Sequence, residues 1–425
     1  MSVYAELSRE ELEEELKKER LHYHHIKNQD LKLNMARGKP SQLQHDLVNG
    51  LLQVVSSGDD CMEGGIDVRN YGELAGIPCA REYWADVLGC KSSQTFVGGV
   101  SSLNLMFDLI SRAYTHGLLH SEKPWCKEEK VRFLCPSPGY DRHFRITEFF
   151  GAELIPIRMT LLGPDMDQVE DYIRDPQVKG IWCVPKYSNP DGIIYSEETI
   201  LRFAKLKPAA PDFAIMWDNA YCVHEFRGEY EPFPDIISLC QMYGNEDMVY
   251  EFASTSKITF AGSGISVMAA SEDNIAYFTK LYGVQMISND KVNQLRHVRY
   301  LKDKQHTLEI MREHAKILAP KFRVVSEALH RLILPCGFAN WNEPKGGYFV
   351  SLNTMPGTAK YALALCHEAG VEMTPAGATF PYGIDPDDSN IRIAPSLPPV
   401  EELEKAMDVF CTCLKIAALE KLLGL

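Results

Sequence analysis

Lys257 closes an apolar, strand-like run from Met248 to Ala253 and is preceded by three hydroxyl residues, Ser254, Thr255 and Ser256. A Gly262-Ser263-Gly264 turn follows, where the backbone can approach a ligand closely. A lysine partly desolvated at the end of a buried strand has its charged form disfavoured, so its pKa falls from the roughly 10.4 of a free side chain. Its neutral amine can form a Schiff base. The neighbouring hydroxyls suit an anionic cofactor. On this stretch alone, a surface lysine following a strand fits equally well.

The elements that would have to position Lys257 recur through the middle of the chain. Apolar runs at Val131 to Cys135, Leu154 to Ile157, Ile181 to Val184, Phe213 to Trp217, Met248 to Phe252 and Ile265 to Ala269 read as strands. Between them lie stretches of helical character, among them Leu103 to Leu118, Met166 to Ile173 and Glu197 to Leu206. This alternation predicts an α/β fold with a mostly parallel sheet covered on both faces. Ligands of such sheets bind beyond the carboxyl ends of the strands. Those ends carry Tyr140, Asn189, Asp218 with Tyr221, and Ser254 to Lys257. All four are polar or aromatic.

Before the sheet, Ser8 and Glu11 form a capping-box pattern that predicts an N-terminal helix. His22, His24 and His25 follow on one short segment, which rarely supplies a complete ligand set, and no metal site is expected. Gly38-Lys39-Pro40 reads as a loop able to turn an N–H toward a carboxylate. After Lys302 a long helical stretch precedes a second α+β region with Gly346 to Val350 and Asn390 to Pro395. The expected division is a large unit over 51–305 and a smaller one over 306–425, joined by residues 1–50.

The chain has 425 residues, of which 45% are hydrophobic, enough for a sizeable core. Its 44 basic and 58 acidic residues give a formal charge of −14, spread along the sequence, which argues against nucleic-acid binding. The 12 cysteines form no CxxC pair and read as reduced thiols of a cytoplasmic protein. The charged start lacks an apolar signal core, and no run of 18 apolar residues occurs, so neither secretion nor membrane insertion is expected.

Taken in order, Asn189 to Gly192, Asp218 to Tyr221, Ser254 to Lys257, and Arg392 resemble the signature of class I aminotransferases, which are pyridoxal-phosphate enzymes of fold type I. The resemblance spans roughly residues 34 to 395. It is nearest to a divergent bacterial subgroup of aspartate aminotransferases often labelled MocR-like.

It implies that Lys257 carries pyridoxal 5'-phosphate as a Schiff base and then serves as acid and base. Asp218 would pair with the ring nitrogen, backed by His143, while Asn189 and Tyr221 would bond the ring oxygen. Tyr140 would stack on the ring. Gly99, Val100 and Ser101, at the start of a helix, would hold the phosphate with Ser254 and Ser256. Tyr71 matches a tyrosine that the family supplies from the neighbouring subunit, which implies a homodimer with shared active sites. Arg392 would clamp the substrate α-carboxylate, with Gly38 and Asn189 beside it. One position departs from the usual signature, because the phosphate-binding arginine expected eight residues after the lysine is Ile265.

The expected activity is ping-pong transfer of an amino group from an amino acid, L-aspartate foremost, to 2-oxoglutarate. Alternatives within the fold are another amino-acid substrate or β-elimination. Arg37, Lys39, Arg142, Lys291 and Arg296 are the cationic candidates for the side-chain pocket. A MocR-type regulator would need a basic DNA-binding module, whereas the residues before Gly38 are largely acidic.

Overall fold

A computed structural model of the chain describes residues 3–56 and 61–425. Its centre is an eight-stranded sheet in the order Thr95–Val97, Ser266–Ala270, Val249–Ser254, Ala214–Asp218, Val178–Cys183, Arg132–Ser137, Glu153–Thr160, Gly163–Pro164. The five strands from Val249–Ser254 to Glu153–Thr160 are mutually parallel. Ser266–Ala270 runs antiparallel to both its neighbours, and Gly163–Pro164 is antiparallel at the far edge. All six predicted strands are present with ends shifted by a few residues. Two short edge strands, Thr95–Val97 and Gly163–Pro164, carried too few residues to stand out.

The sheet is buried on both faces, as its unbroken apolar runs require. Successive residues of Ala214–Asp218 alternate between two cores. Ala214 and Met216 join Phe133, Trp182 and Phe252, while Ile215 and Trp217 join Ile200 and Phe203 on the opposite side. Helix Ser102–His116 covers the first face, and Glu197–Ala204 the second.

A third core lies apart from the two faces of the sheet. Helix Val400–Leu423 is buried along most of its length against Arg9–Lys27, Lys304–Leu332 and Ala359–Glu368. The N-terminal helix has the predicted capping box at Ser8 and is fastened by a Tyr23 hydroxyl bond to Leu365 O (2.9 Å) and a Lys415–Glu19 ion pair (3.0 Å). A three-stranded antiparallel sheet, Asn340–Trp341, Val350–Asn353 and Asn390–Ile393, faces the end of the large sheet. His22 pairs with Asp408 at 3.0 Å, and among the described residues no group of three or more His, Cys, Asp or Glu is placed to hold a metal. No described helix is long and apolar enough to cross a membrane.

Gly180 lies in the middle of the sheet, paired with Phe133 and Ala214. A Cβ there would fall 2.6 Å from Ala214 O and 2.6 Å from the Phe133 ring. Gly180→Ala should therefore destabilise the fold by about 1–3 kcal/mol through overpacking. Urea unfolding that gives the same midpoint as the parent would contradict this close packing.

Candidate active site

Strand parity and register decide what meets at the carboxyl edge of the sheet. Phe252 is the register partner of Asp218, so Asp218 and Ser254, two residues beyond Phe252, share a face. That face also holds Trp182, against which the His143 imidazole stacks at 4.4 Å and 9°. His143 Nε2 donates to Asp218 Oδ2 at 2.9 Å, and the Tyr140 ring meets the histidine edge-on at 4.9 Å. Asp218 Oδ1 is buried and has no protein partner. A buried carboxylate oxygen left in this state is costly unless a donor is brought to it.

Asp218 lies on the wall of a cavity of about 700 Å³. Ser101, Tyr140, Asn189, Tyr221, Ser254 and Ser256 line the same space, as do Gly38, Lys257 and Arg392. Several come from where a strand ends or a helix begins. Asp218 and Ser254 are the last residues of their strands, Tyr140 and Ser101 are N-caps of the helices Asp141–Phe149 and Ser102–His116, and Lys257 sits in the turn after Ser254. The Ser101 hydroxyl accepts from Leu103 N at 3.2 Å, which orients that helix start toward the cavity.

Lys257 Nζ lies 5.0 Å from the Tyr221 ring centroid and 5.7 Å from that of Tyr348. Burial among these rings lowers its pKa, and the Asp218 charge opposes that shift only in part. Burial also pushes the Tyr221 phenol well above its ordinary value, so its hydroxyl keeps its proton. Arg392, on the three-stranded sheet, is 8% exposed. Its Nη1 donates to Asn189 Oδ1 (3.2 Å) and Asp141 Oδ1 (3.3 Å), its Nε donates to Thr374 Oγ1 (3.4 Å), and its guanidinium lies over Phe349 at 4.8 Å.

The aspartate amino-transferase family matches residues 7–425. The chain belongs to this family of aminotransferases. An aspartate aminotransferase of Corynebacterium glutamicum is 48% identical over 93% of this chain and 91% of its own length. A putative aminotransferase of Mycolicibacterium smegmatis is 45% identical over 99% of both chains. The crystal structure of an aspartate transaminase from Corynebacterium glutamicum superposes with a TM-score of 0.97 at 45% identity, covering 99% of each chain. The same fold extends to an α-aminoadipate aminotransferase of Thermus thermophilus complexed with N-(5'-phosphopyridoxyl)-L-leucine, at a TM-score of 0.73 and 19% identity over 92% and 93% of the two chains.

Not every anticipated site residue lines the aminotransferase cavity. His143 stands behind Asp218. Gly99 and Val100 lie beside the Ser101 cap but off the wall, with Gly99 O held by Ser266 Oγ at 2.8 Å. Tyr71 is 77% exposed and outside the cavity of its own chain. Ile265 is buried in the core, and its N–H donates to Thr255 Oγ1 at 2.9 Å, so it bolts the lysine turn in place without facing the cavity. Of the cationic candidates, Arg37, Lys39 and Arg142 line the cavity and are joined by Arg145. Lys291 and Arg296 do not: Lys291 Nζ donates to Gly72 O at 3.1 Å, and Arg296 bonds Asn293. Asp141 and Thr374, which bond Arg392, were not anticipated. Asp141 could have been suspected from its place beside Tyr140, whereas Thr374 is brought in only by the tertiary fold.

Because the folded pKa of Lys257 is lowered, the folded chain binds fewer protons there than the unfolded chain. The resulting penalty on stability is present at neutral pH and fades as pH rises through the unfolded value near ~10.4. Lys257→Met should therefore stabilise the cofactor-free protein at pH 7, by a margin that shrinks at pH 10. An equal margin at the two pH values in urea titrations would show that the amine is not desolvated.

Proposed function

We propose that this aminotransferase binds pyridoxal 5'-phosphate covalently through Lys257 and moves the amino group of L-aspartate to 2-oxoglutarate in two half-reactions. The observation that carries the reading is the buried, unpartnered Oδ1 of Asp218 on the wall of the cavity that also holds Lys257 and Arg392. That oxygen wants a cationic N–H donor, and a protonated pyridine nitrogen is one. The bound cofactor supplies an electron sink for the pair left when the substrate Cα–H bond breaks.

The chain's own groups do the rest. Lys257 Nζ, whose charged form burial disfavours, would accept the proton released from substrate Cα. His143 holds Asp218 in orientation through its Nε2–H. Tyr221, which keeps its proton, donates to the ring oxygen together with Asn189, whose Oδ1 already serves Arg392. Tyr140 covers the ring. Ser101, Ser254 and Ser256, with the amides around Gly99 and Val100, meet the phosphate at a helix N-terminus. Arg392 takes the substrate α-carboxylate next to Gly38. Tyr71 of a second copy completes the phosphate site in a homodimer, in keeping with its exposure in the single chain.

Two features favour an acidic substrate. Two of the similar proteins that cover more than nine-tenths of the chain, both from Corynebacterium glutamicum, are named an aspartate aminotransferase and an aspartate transaminase. Arg37, Lys39, Arg142 and Arg145 bring four further cations to the cavity wall. A second carboxylate on the donor has charge to meet there.

Borohydride treatment of the pyridoxal-phosphate-loaded protein, followed by peptide mapping, should place the label on Lys257. A label on another lysine would sink the assignment. Arg392→Lys, which loses one arm of a planar fork worth about 1.5–3 kcal/mol as a charge-assisted bond, should lower kcat/KM at least about tenfold. Arg142→Gln should raise KM for aspartate several-fold more than KM for alanine. If aliphatic or aromatic donors outperform aspartate in the parent protein, the acidic-donor part falls while the cofactor assignment stands.

A further inference from the structure

Gln44 is completely buried, and its amide makes the bonds of a junction. Its Oε1 accepts from the Ser41 N–H at 3.0 Å, and its Nε2 donates to the Tyr348 hydroxyl at 2.8 Å and to His314 Nδ1 at 3.3 Å. His314 Nε2 lies 3.0 Å from Ile258 O, a carbonyl that can only accept. The tautomer is thereby set, with Nε2–H donating to Ile258 and Nδ1 accepting from Gln44. Burial pushes the His314 pKa down to about 4, so the ring remains neutral and keeps this arrangement around neutral pH.

The two ends of this chain of bonds are both at the candidate site. Ile258 directly follows Lys257, and the Tyr348 ring faces the lysine amine and stacks on Tyr221 at 6.2 Å. At the other end, Ser41 closes the segment that begins at Ala36. Ala36 O accepts from Thr374 Oγ1 at 2.6 Å, and Thr374 Oγ1 in turn accepts from Arg392 Nε. Lys39 O accepts from Ser396 Oγ at 2.8 Å. Gly38 lies so close to the sheet that a Cβ would fall 2.6 Å from Phe349 Cζ and 3.2 Å from Tyr348 Cβ. Residues 36–44 thus run as a strap from the arginine that is to hold the substrate carboxylate to the turn that carries the lysine.

We propose that Gln44 is a positioning residue that, through His314 and Tyr348, ties the seating of the 36–41 strap against the Arg392 clamp to the placement of the Lys257 amine. The proposal rests on the reading of Lys257 and Arg392 given above. A strap that is out of place would leave the amine misplaced as well, and small displacements of a proton-transferring group are expensive in rate.

The test uses three variants of the full-length protein. Gln44→Leu and His314→Leu keep bulk but cut the chain of bonds, whereas His314→Gln offers an amide that can still donate to Ile258 O and accept from Gln44. Peptide-level hydrogen exchange on the cofactor-free protein should show faster exchange in both 36–44 and 255–260 for the leucine variants, and close to parental exchange for His314→Gln. In the loaded enzyme the leucine variants should lose about tenfold in kcat and raise KM for aspartate several-fold, with His314→Gln within about threefold of the parent on both. Exchange that rises only at the mutated segment, or kcat within twofold of the parent in folded leucine variants, would overturn the coupling. If those variants fail to fold, Tyr348→Phe decides, since it removes one hydroxyl and keeps the ring. Faster exchange at 255–260 and at least a threefold loss of kcat support the coupling, and parental values overturn it. Coupled exchange together with borohydride label on a lysine other than Lys257 would overturn the functional reading, and the positioning role with it, while leaving the mechanical link.

Discussion

The site depends on a half-satisfied carboxylate. Asp218 is buried at the end of a central strand, where an unpaired charge would be expelled or neutralised. One of its oxygens is answered by His143, whose ring is in turn fixed by stacking on Trp182. The other oxygen is left without a donor on the cavity side. Lys257 is the nearby cation that feels Asp218, yet burial outweighs that attraction and lowers its pKa. The fold thus keeps a carboxylate and a lysine in one cavity without pairing them directly.

Parallel topology makes the arrangement possible. The strands ending at Ser254, Asp218, Cys183 and Ser137 are consecutive neighbours, so the loops leaving them open on the same side. The Asn219 N–H donates to Phe252 O at 2.8 Å, binding the start of the Asp218–Tyr221 loop to the strand that leads into Lys257. On the other flank Ser254 pairs in register with Ser266, whose carbonyl accepts from the Gly98 N–H at 2.8 Å. The serine-rich turn and the glycine-led helix start are therefore held side by side by backbone bonds, independently of any side-chain preference. Arg392 arrives from a different sheet, and Asn189 and Asp141 meet it across the gap.

Much of this was legible in the sequence because it is local. Buried parallel strands write themselves as apolar runs, and the polar residue after each run is the residue at the cavity. Asp218, Ser254, Lys257 and Tyr140 could be placed in that way without any long-range information. Gln44, His314, Thr374 and Tyr348 could not. Each is polar or aromatic in a segment whose own pattern reads as helix or loop, and its significance comes only from a partner far away in the chain, such as His314 for Gln44 or Arg392 for Thr374. Two of the five cationic candidates fall outside the cavity for a related reason. Lys291 and Arg296 lie in a helix that packs near the Tyr71 loop, and nothing in their immediate sequence distinguishes a lysine that holds Gly72 O from one that faces a ligand.

Ile265 shows how the electrostatics have been redistributed. Where the usual signature has a phosphate-binding arginine, this chain has a buried apolar side chain whose backbone N–H secures the lysine turn through Thr255. The wall around Ser101, Ser254 and Ser256 is furnished with hydroxyls and a helix N-terminus, both neutral, and the arginines and lysine elsewhere on the wall are Arg37, Lys39, Arg142, Arg145 and Arg392. For a protein of formal charge −14, whose average field repels anions, such a local concentration of cations matters more than it would on a neutral surface. Low-dielectric walls focus that field, so the cavity sets a local positive potential against the global charge, and Arg392 is held within it by Asn189 and Asp141. The Asp141 carboxylate and the Asn189 amide oxygen both accept from Nη1 of that guanidinium, which sets its orientation on the cavity wall.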